Sequence, residues 1–341
     1  MNRFPSPLTM LLSRHTRRRE FITLLGGTAA WPLAARAQSG GVPVVGILHS
    51  ASPTGIWLTL SGAFLQGLTQ AGYSQGRNLT IEERWAEGQY DRLPAMAADL
   101  IRRDVALIAA LTTPSAEAVK SATAKIPIVF TTIADPVQMG FVSSLSRPGG
   151  NLTGVTYLGV EVGPKLLELL HEAVPSAKTM ALLINPTNPN ADRQSQNLQA
   201  AAGRLGLQLY FINASTEGDL DPAFAKAHEL QTQALMVAFD AFFNARSAQL
   251  ATLSLRYAIP AIYPARDFAE AGGLMSYGAD LRDMYRQAGI YAGRILKGEK
   301  PADLPVVQAS KFEMVINLKA AKTIGLTLSP DVISIADEVI E

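Results

Sequence analysis

The chain has 341 residues, 48% hydrophobic and 17% charged, which excludes an intrinsically disordered protein and leaves room for two domains with ample cores. It has no cysteine, so disulfides, thiol catalysis, cysteine-ligated zinc and lipid attachment at an N-terminal cysteine are excluded. The net charge is +1, but residues 1–37 hold six of the 30 basic groups and one of the 29 acidic groups; the remainder carries −4, with its Lys and Arg scattered, so nucleic acid is not an expected partner.

Those first residues have the layout of an export signal. Arg17, Arg18 and Arg19 precede the mildly apolar run "EFITLLGGTAAWPLAA", and Ala35-Arg36-Ala37 forms a small-x-small cleavage site. The run is too short and too broken by glycine and proline to span a bilayer. "RRREFIT" resembles a twin-arginine signal, whose weak hydrophobicity suits a pathway carrying folded proteins.

From Val42 short apolar runs alternate with amphipathic helices. "VPVVGILHS" predicts a strand, Ile56 to Ala71 a helix stopped at Gly72, "NLTIEERW" a strand and "DRLPAMAADLIRR" a helix. "VALIAAL", the helix "SAEAVKSATA" and the strand "IPIVFTTI" follow, then a Gly/Ser/Pro-rich segment with one short strand, "LTGVTYL". The alternation restarts with "GPKLLELLHEAV" as helix, "TMALLIN" as strand and Ala191 to Leu205 as helix. "LQLYFIN", a helix near 220–230, "ALMVAFD", the helix "NARSAQLATLSLRYA", and the strands "PAIYPA" and "LMSYG" complete the series. Asp280 to Leu296 is a long amphipathic helix, and the tail feeds one more strand and a last short helix.

Such alternation predicts an α/β protein with mainly parallel sheets covered by helices on both faces. Two similar units imply two lobes with a cleft between them: residues 42–157 plus 274–307, and 158–273 plus 308–341. Crossings near 157, 273 and 308 would make a hinge rather than a free linker.

The polar residues gather at the ends of the strands, where open α/β folds bind ligands. The first strand ends in His49, Ser50 and Ser52, with Trp57 just beyond; the third ends in Thr112, Thr113 and Ser115; the fourth in Thr132 and Asp135. Tyr157 follows the next strand, and Asn185, Asp240 and Tyr277 end strands of the second unit. The chemistry suits a small zwitterion. Thr113 and Ser115 begin a helix whose free N–H groups attract a carboxylate, while Asp135 and Asp240, one from each lobe, accept from an ammonium. Trp57, Tyr157, Phe239, Phe242 and Tyr277 offer rings for stacking. Each of these residues also has a structural reading, since Ser, Thr and Asp are preferred helix caps and Asp135-Pro136 is a common turn pair. Asp240 stands apart because no helix is evident for it to cap before Asn244.

No GxSxG elbow, HExxH, Walker loop or GxGxxG after a strand is present, and the histidines lack metal-ligand spacing, so neither catalysis nor a cofactor is expected. An exported α/β hydrolase is the enzymatic alternative, and a sensory binding protein serving a receptor is the other. A repressor of similar shape is disfavoured, since an export signal stands where a DNA-binding helix-turn-helix would be.

Three blocks resemble one bacterial family: "AFLQGLTQAGYSQGRNLTIEERWAEGQYDRLPAMAADLIRR", "IPIVFTTIADPVQMGFVSSLSRPGGNLTGVTYL", and the stretch from "AGGLMSYGADL" to "INLKAAKTIGL". They are similar to ABC-transporter substrate-binding proteins related to the tryptophan/tyrosine binding proteins. The resemblance implies a type I periplasmic-binding-protein fold with three crossovers and hinge closure, and delivery of a solute to an ABC permease and its ATPase. It carries over to Thr113, Asp135, Asn185, Asp240 and Tyr277. It further implies a soluble, monomeric periplasmic receptor. Lipid-anchored relatives begin with cysteine, which this chain lacks. The expected solute is an amino acid, aromatic first and a branched or other small carboxylate second.

Overall fold

The structure is a computed structural model that describes residues 41–341; the export signal expected over residues 1–37 lies outside the described residues. The elements in chain order are β1 (Val44–His49), α1 (Ile56–Gln70), β2 (Thr80–Trp85), α2 (Leu93–Arg102), β3 (Leu107–Ala110), α3 (Thr113–Ala122), β4 (Ile128–Thr132) and β5 (Leu152–Thr156). Then come α4 (Gly159–Ala173), β6 (Thr179–Ile184), α5 (Ala191–Leu205), β7 (Gln208–Asn213), α6 (Glu217–Glu229), β8 (Ala234–Val237), α7 (Ala241–Asn244), α8 (Ser247–Arg256) and β9 (Ala261–Tyr263). The chain closes with α9 (Arg266–Glu270), β10 (Met275–Ala279), α10 (Leu281–Leu296), β11 (Val307–Gln308), β12 (Phe312–Asn317), α11 (Leu318–Thr323), α12 (Pro330–Ser334) and β13 (Glu338–Ile340).

Two sheets result. The first has the order β11-β5-β4-β3-β1-β2 and is parallel throughout. The second has the order β13-β12-β10-β9-β8-β6-β7, with β10 and β12 its antiparallel pair. The strands are apolar on both faces because helices cover both. In β3, Leu107 and Ala109 enter one core while Ile108 and Ala110 enter another. In β8, Ala234 and Met236 face one side, and Leu235 and Val237 the other.

The crossings differ in part from the sequence expectation. "LMSYG" forms β10, which belongs to the second sheet, so the second crossing falls at Asp280 rather than near 273, and residues 275–279 belong to the C-terminal lobe. Apolar periodicity cannot say which sheet a strand joins; pairing with β9 and β12 decides that. After Asp280, α10 returns to the N-terminal lobe and lies against α1. The approach is close enough to require glycine, since a Cβ on Gly67 would stand 1.9 Å from the Arg286 carbonyl oxygen. The third crossing runs between β11 in the first sheet and β12 in the second. The tail holds three strands and two short helices, more than the single strand and helix expected.

The three crossings touch. The Ala309 N–H donates to the Thr156 carbonyl at 2.7 Å, and the Asp280 N–H donates to the Lys311 carbonyl at 3.3 Å. The connections between the two sheets are thus adjacent and bonded to one another.

Candidate functional site

β8 runs directly into Asp240, whose extended backbone turns the chain into α7. Asp240 Oδ1 accepts from the N–H groups of Phe242 at 2.8 Å and Phe243 at 3.2 Å. Asp240 therefore caps a helix after all: α7 is a separate four-residue turn over a stretch where the sequence showed no helix before Asn244. Its other oxygen serves the site. Asp240 Oδ2 accepts from Asn188 Nδ2 at 2.7 Å, from Asn185 Nδ2 at 3.3 Å, and from the Tyr90 hydroxyl at 2.9 Å. Tyr90 belongs to the N-terminal lobe, so this last bond spans the cleft. Asp240 is only 4% exposed and forms no salt bridge among the described residues. Burial pushes its carboxyl above the usual range, while the hydrogen bonds from Asn188 and Tyr90 pull the other way.

Around this carboxylate lies a small cavity between the lobes, of about 70 Å³. Five rings line it: Trp57, Tyr90, Tyr157, Phe239 and Tyr285. The Tyr157 and Phe239 rings meet at 5.8 Å across the cleft, and Trp57 Nε1 donates to the Ala241 carbonyl at 3.2 Å. Gln194 fixes Phe239 by clamping both its N–H and its carbonyl, at 2.9 and 3.1 Å. Polar side chains on the wall include Thr112, Thr113, Thr132, Asn188, Asn190 and Asn244. No lysine, arginine or histidine is among the described residues that line it.

Of the residues singled out in the sequence, Trp57, Thr112, Thr113, Thr132, Tyr157, Phe239 and Asp240 line this cavity together. The others stand elsewhere. His49 is stacked on Trp85 at 3.7 Å and bonded through Nε2 to Ser61 Oγ at 3.0 Å; burial pushes its imidazole down to about 3, so it is neutral. Ser50 is buried beside it, and Ser52 lends its carbonyl to the turn at Thr54. Ser115 is bonded to Thr112. Asn185 acts through Asp240 and otherwise accepts from Thr187.

Asp135 does not line the cavity and offers nothing to an ammonium there. Its oxygens accept from Val137 N at 2.8 Å, Gln138 N at 3.3 Å and Gln138 Nε2 at 2.8 Å, which is the turn role. Tyr277 does not line the cavity; its ring stacks on Phe312 at 5.8 Å. Phe242 lies in the core under the Arg246 guanidinium, at 4.0 Å. The start of α3 is also closed: Thr112 Oγ1 accepts from Ser115 N, and Thr113 Oγ1 accepts from Ile133 N while bonding Thr132 Oγ1.

The sequence reading missed Tyr90, Asn188, Asn190, Asn244 and Tyr285. The stretch "NPTNPN" after β6 held a signal, since its amides lie just beyond a strand end. Tyr90 and Tyr285 gave none, as one sits in a loop between β2 and α2 and the other on a helix.

Residues 45–340 match the profile of the ABC transporter substrate binding protein family. The chain belongs to that family. It is 29% identical over 264 residues to the Tyrosine-binding protein of Clostridioides difficile strain R20291, covering 77% of this chain and 75% of the relative. A solved structure of a conserved domain protein from Vibrio cholerae superposes with a TM-score of 0.80 at 27% identity, covering 88% of this chain and all of that one. The ABC domain from Streptococcus pneumoniae, solved in complex with L-Trp, gives 0.78 at 25% identity, with 88% and 100% covered. The fold is that of a type I periplasmic binding protein.

Proposed function

We propose that this substrate-binding protein is the receptor of an ABC importer for an aromatic amino acid. It closes its two lobes over the solute and hands it to a permease and ATPase. It acts as a soluble monomer in the periplasm, after export directed by residues 1–37, and performs no chemistry on its ligand.

The observation that carries this reading is a lone buried carboxylate, Asp240, in a ring-lined cavity with no basic side chain on its wall. The Arg246 guanidinium acts on Asp240 but forms no ion pair with it; a buried carboxylate without a paired cation is costly, and a ligand ammonium supplies that pair. The same field repels a solute with net negative charge, so a small carboxylate without an amine, the second choice from the sequence, fits less well. The five rings favour an aromatic side chain. The L-Trp complex and the Tyrosine-binding protein among the relatives support the same solute class.

Thermal unfolding against a panel of amino acids, sugars, purines and small carboxylates tests the proposal. A ligand at a hundred times its dissociation constant adds about 2.7 kcal/mol. For a chain of this size that raises the midpoint by several degrees. A rise with tryptophan or tyrosine, absent with their deaminated acids, is expected. Silence from every amino acid overturns the reading.

A further inference from the structure

Two side-chain atoms in the cavity wall have no partner. Asn190 is 2% exposed, and its Nδ2 meets no acceptor among the described residues; Asn244 Oδ1 is buried and meets no donor. Buried polar groups are almost always satisfied, so exceptions that face a ligand cavity call for a ligand atom. One is a donor and the other an acceptor, and Asp240, an anion, lines the same space.

Asn190 occupies the cap position of α5 yet does not cap it. Its backbone is already helical, and its side chain makes no bond to the first turn. The turn is closed instead through the Asn188 carbonyl, which accepts from Ala191 N. The amide is thereby left free at the positive end of a 15-residue helix, a favourable place for an anion. The start of α3, where the sequence suggested a carboxylate would bind, has its Ser115 N–H and its threonine hydroxyls committed to internal bonds.

We infer that the C-terminal lobe alone holds the charged head of the ligand. Asn190 Nδ2 donates to the α-carboxylate, and Asn244 Oδ1 and the Asp240 carboxylate accept from the α-ammonium. The N-terminal lobe contributes Trp57, Tyr90 and Tyr285, which close over a ligand already oriented. This rests on the amino-acid reading above.

The test is calorimetric titration of the purified protein with L-tryptophan or L-tyrosine, whichever binds more tightly, and with the α-carboxamide of the same amino acid. Wild type prefers the free acid. Asn190→Leu weakens the acid roughly 10- to 100-fold, as expected for a lost bond to a charged group, and removes the preference. Asn190→Asp, a change of little volume that guards against misfolding, inverts the preference, since its carboxylate repels the acid and accepts from the carboxamide. Asn244→Leu weakens acid and amide alike, because both carry the ammonium. A preference that survives in Asn190→Leu, or that disappears in Thr113→Val instead, overturns the inference and leaves the amino-acid reading standing. A wild-type protein that binds no amino acid overturns that reading and the inference with it.

Discussion

The Tyr90 hydroxyl donates to Asp240 Oδ2 at 2.9 Å across the cleft, joining the loop before α2 to the end of β8. This bond exists only while the lobes are together. It belongs to the free energy of closure and leaves the stability of either lobe alone untouched. Tyr90→Phe keeps the ring in the cavity wall and removes the bond. Ligand affinity should fall about tenfold, mostly through faster dissociation, with little change in the ligand-free unfolding midpoint. Stopped-flow displacement beside differential scanning calorimetry separates the two effects. An unchanged dissociation rate would show that closure does not draw on this contact.

Asp240 also sets the pH response of binding. Its folded-state pKa is raised by burial, so in the ligand-free protein its contribution to stability is present at low pH and lost as pH rises through the raised value. A ligand ammonium favours the ionised form. Affinity should therefore rise as pH climbs through the raised value, and binding there should release protons. Titrations in buffers of different ionisation enthalpy count the protons released; an affinity that does not change with pH would refute the assignment.

His49 drives stability the opposite way. Its imidazole stays neutral down to about 3 because it is buried against Trp85 and Ser61. The unfolded chain takes up a proton near pH 6.5, so the contribution is full above 6.5 and is lost progressively as pH falls toward 3. His49→Phe retains a ring for Trp85 and should flatten the fall in unfolding midpoint over that window, as followed by circular dichroism.

Phe239 faces Tyr157 across the cavity, with Gln194 holding its backbone from behind. Phe239→Leu preserves an apolar side chain and removes the ring pair, worth about 0.5–1.5 kcal/mol. An aromatic amino acid should bind roughly 2- to 10-fold more weakly, and discrimination against leucine should narrow. Competition titrations of the two amino acids measure this directly.

One glycine substitution tests the packing of α10 on α1, and a second at an open site serves as its control. Gly67→Ala places a methyl 1.9 Å from the Arg286 carbonyl oxygen, so the helices must separate, at a cost of about 1–3 kcal/mol. Gly203→Ala, inside α5 with nothing within 4 Å, should stabilise by up to about 1 kcal/mol. Urea unfolding of the pair gives changes of opposite sign if the contact is as tight as described.

The sequence by itself determined the α/β class and most of the strands. Unbroken apolar runs such as "IPIVFTTI" arise only where helices cover both faces of a parallel sheet, and the polar residues that end such runs mark the ligand side of the fold. Asp240, Thr113, Thr132, Trp57 and Tyr157 were legible for that reason. Tertiary structure alone decided which of these polar ends face the ligand. Asp135 and Tyr277 also stand at strand ends, yet one closes a turn and the other stacks on Phe312, differences of side-chain contact that composition does not carry. Tyr90, Asn190 and Tyr285 reach the cavity from a loop, a helix cap and a helix face. Their meeting depends on where the chain recrosses at Asp280 and on how closely α10 lies on α1. Both are set by strand pairing and by a glycine contact between residues far apart in the chain.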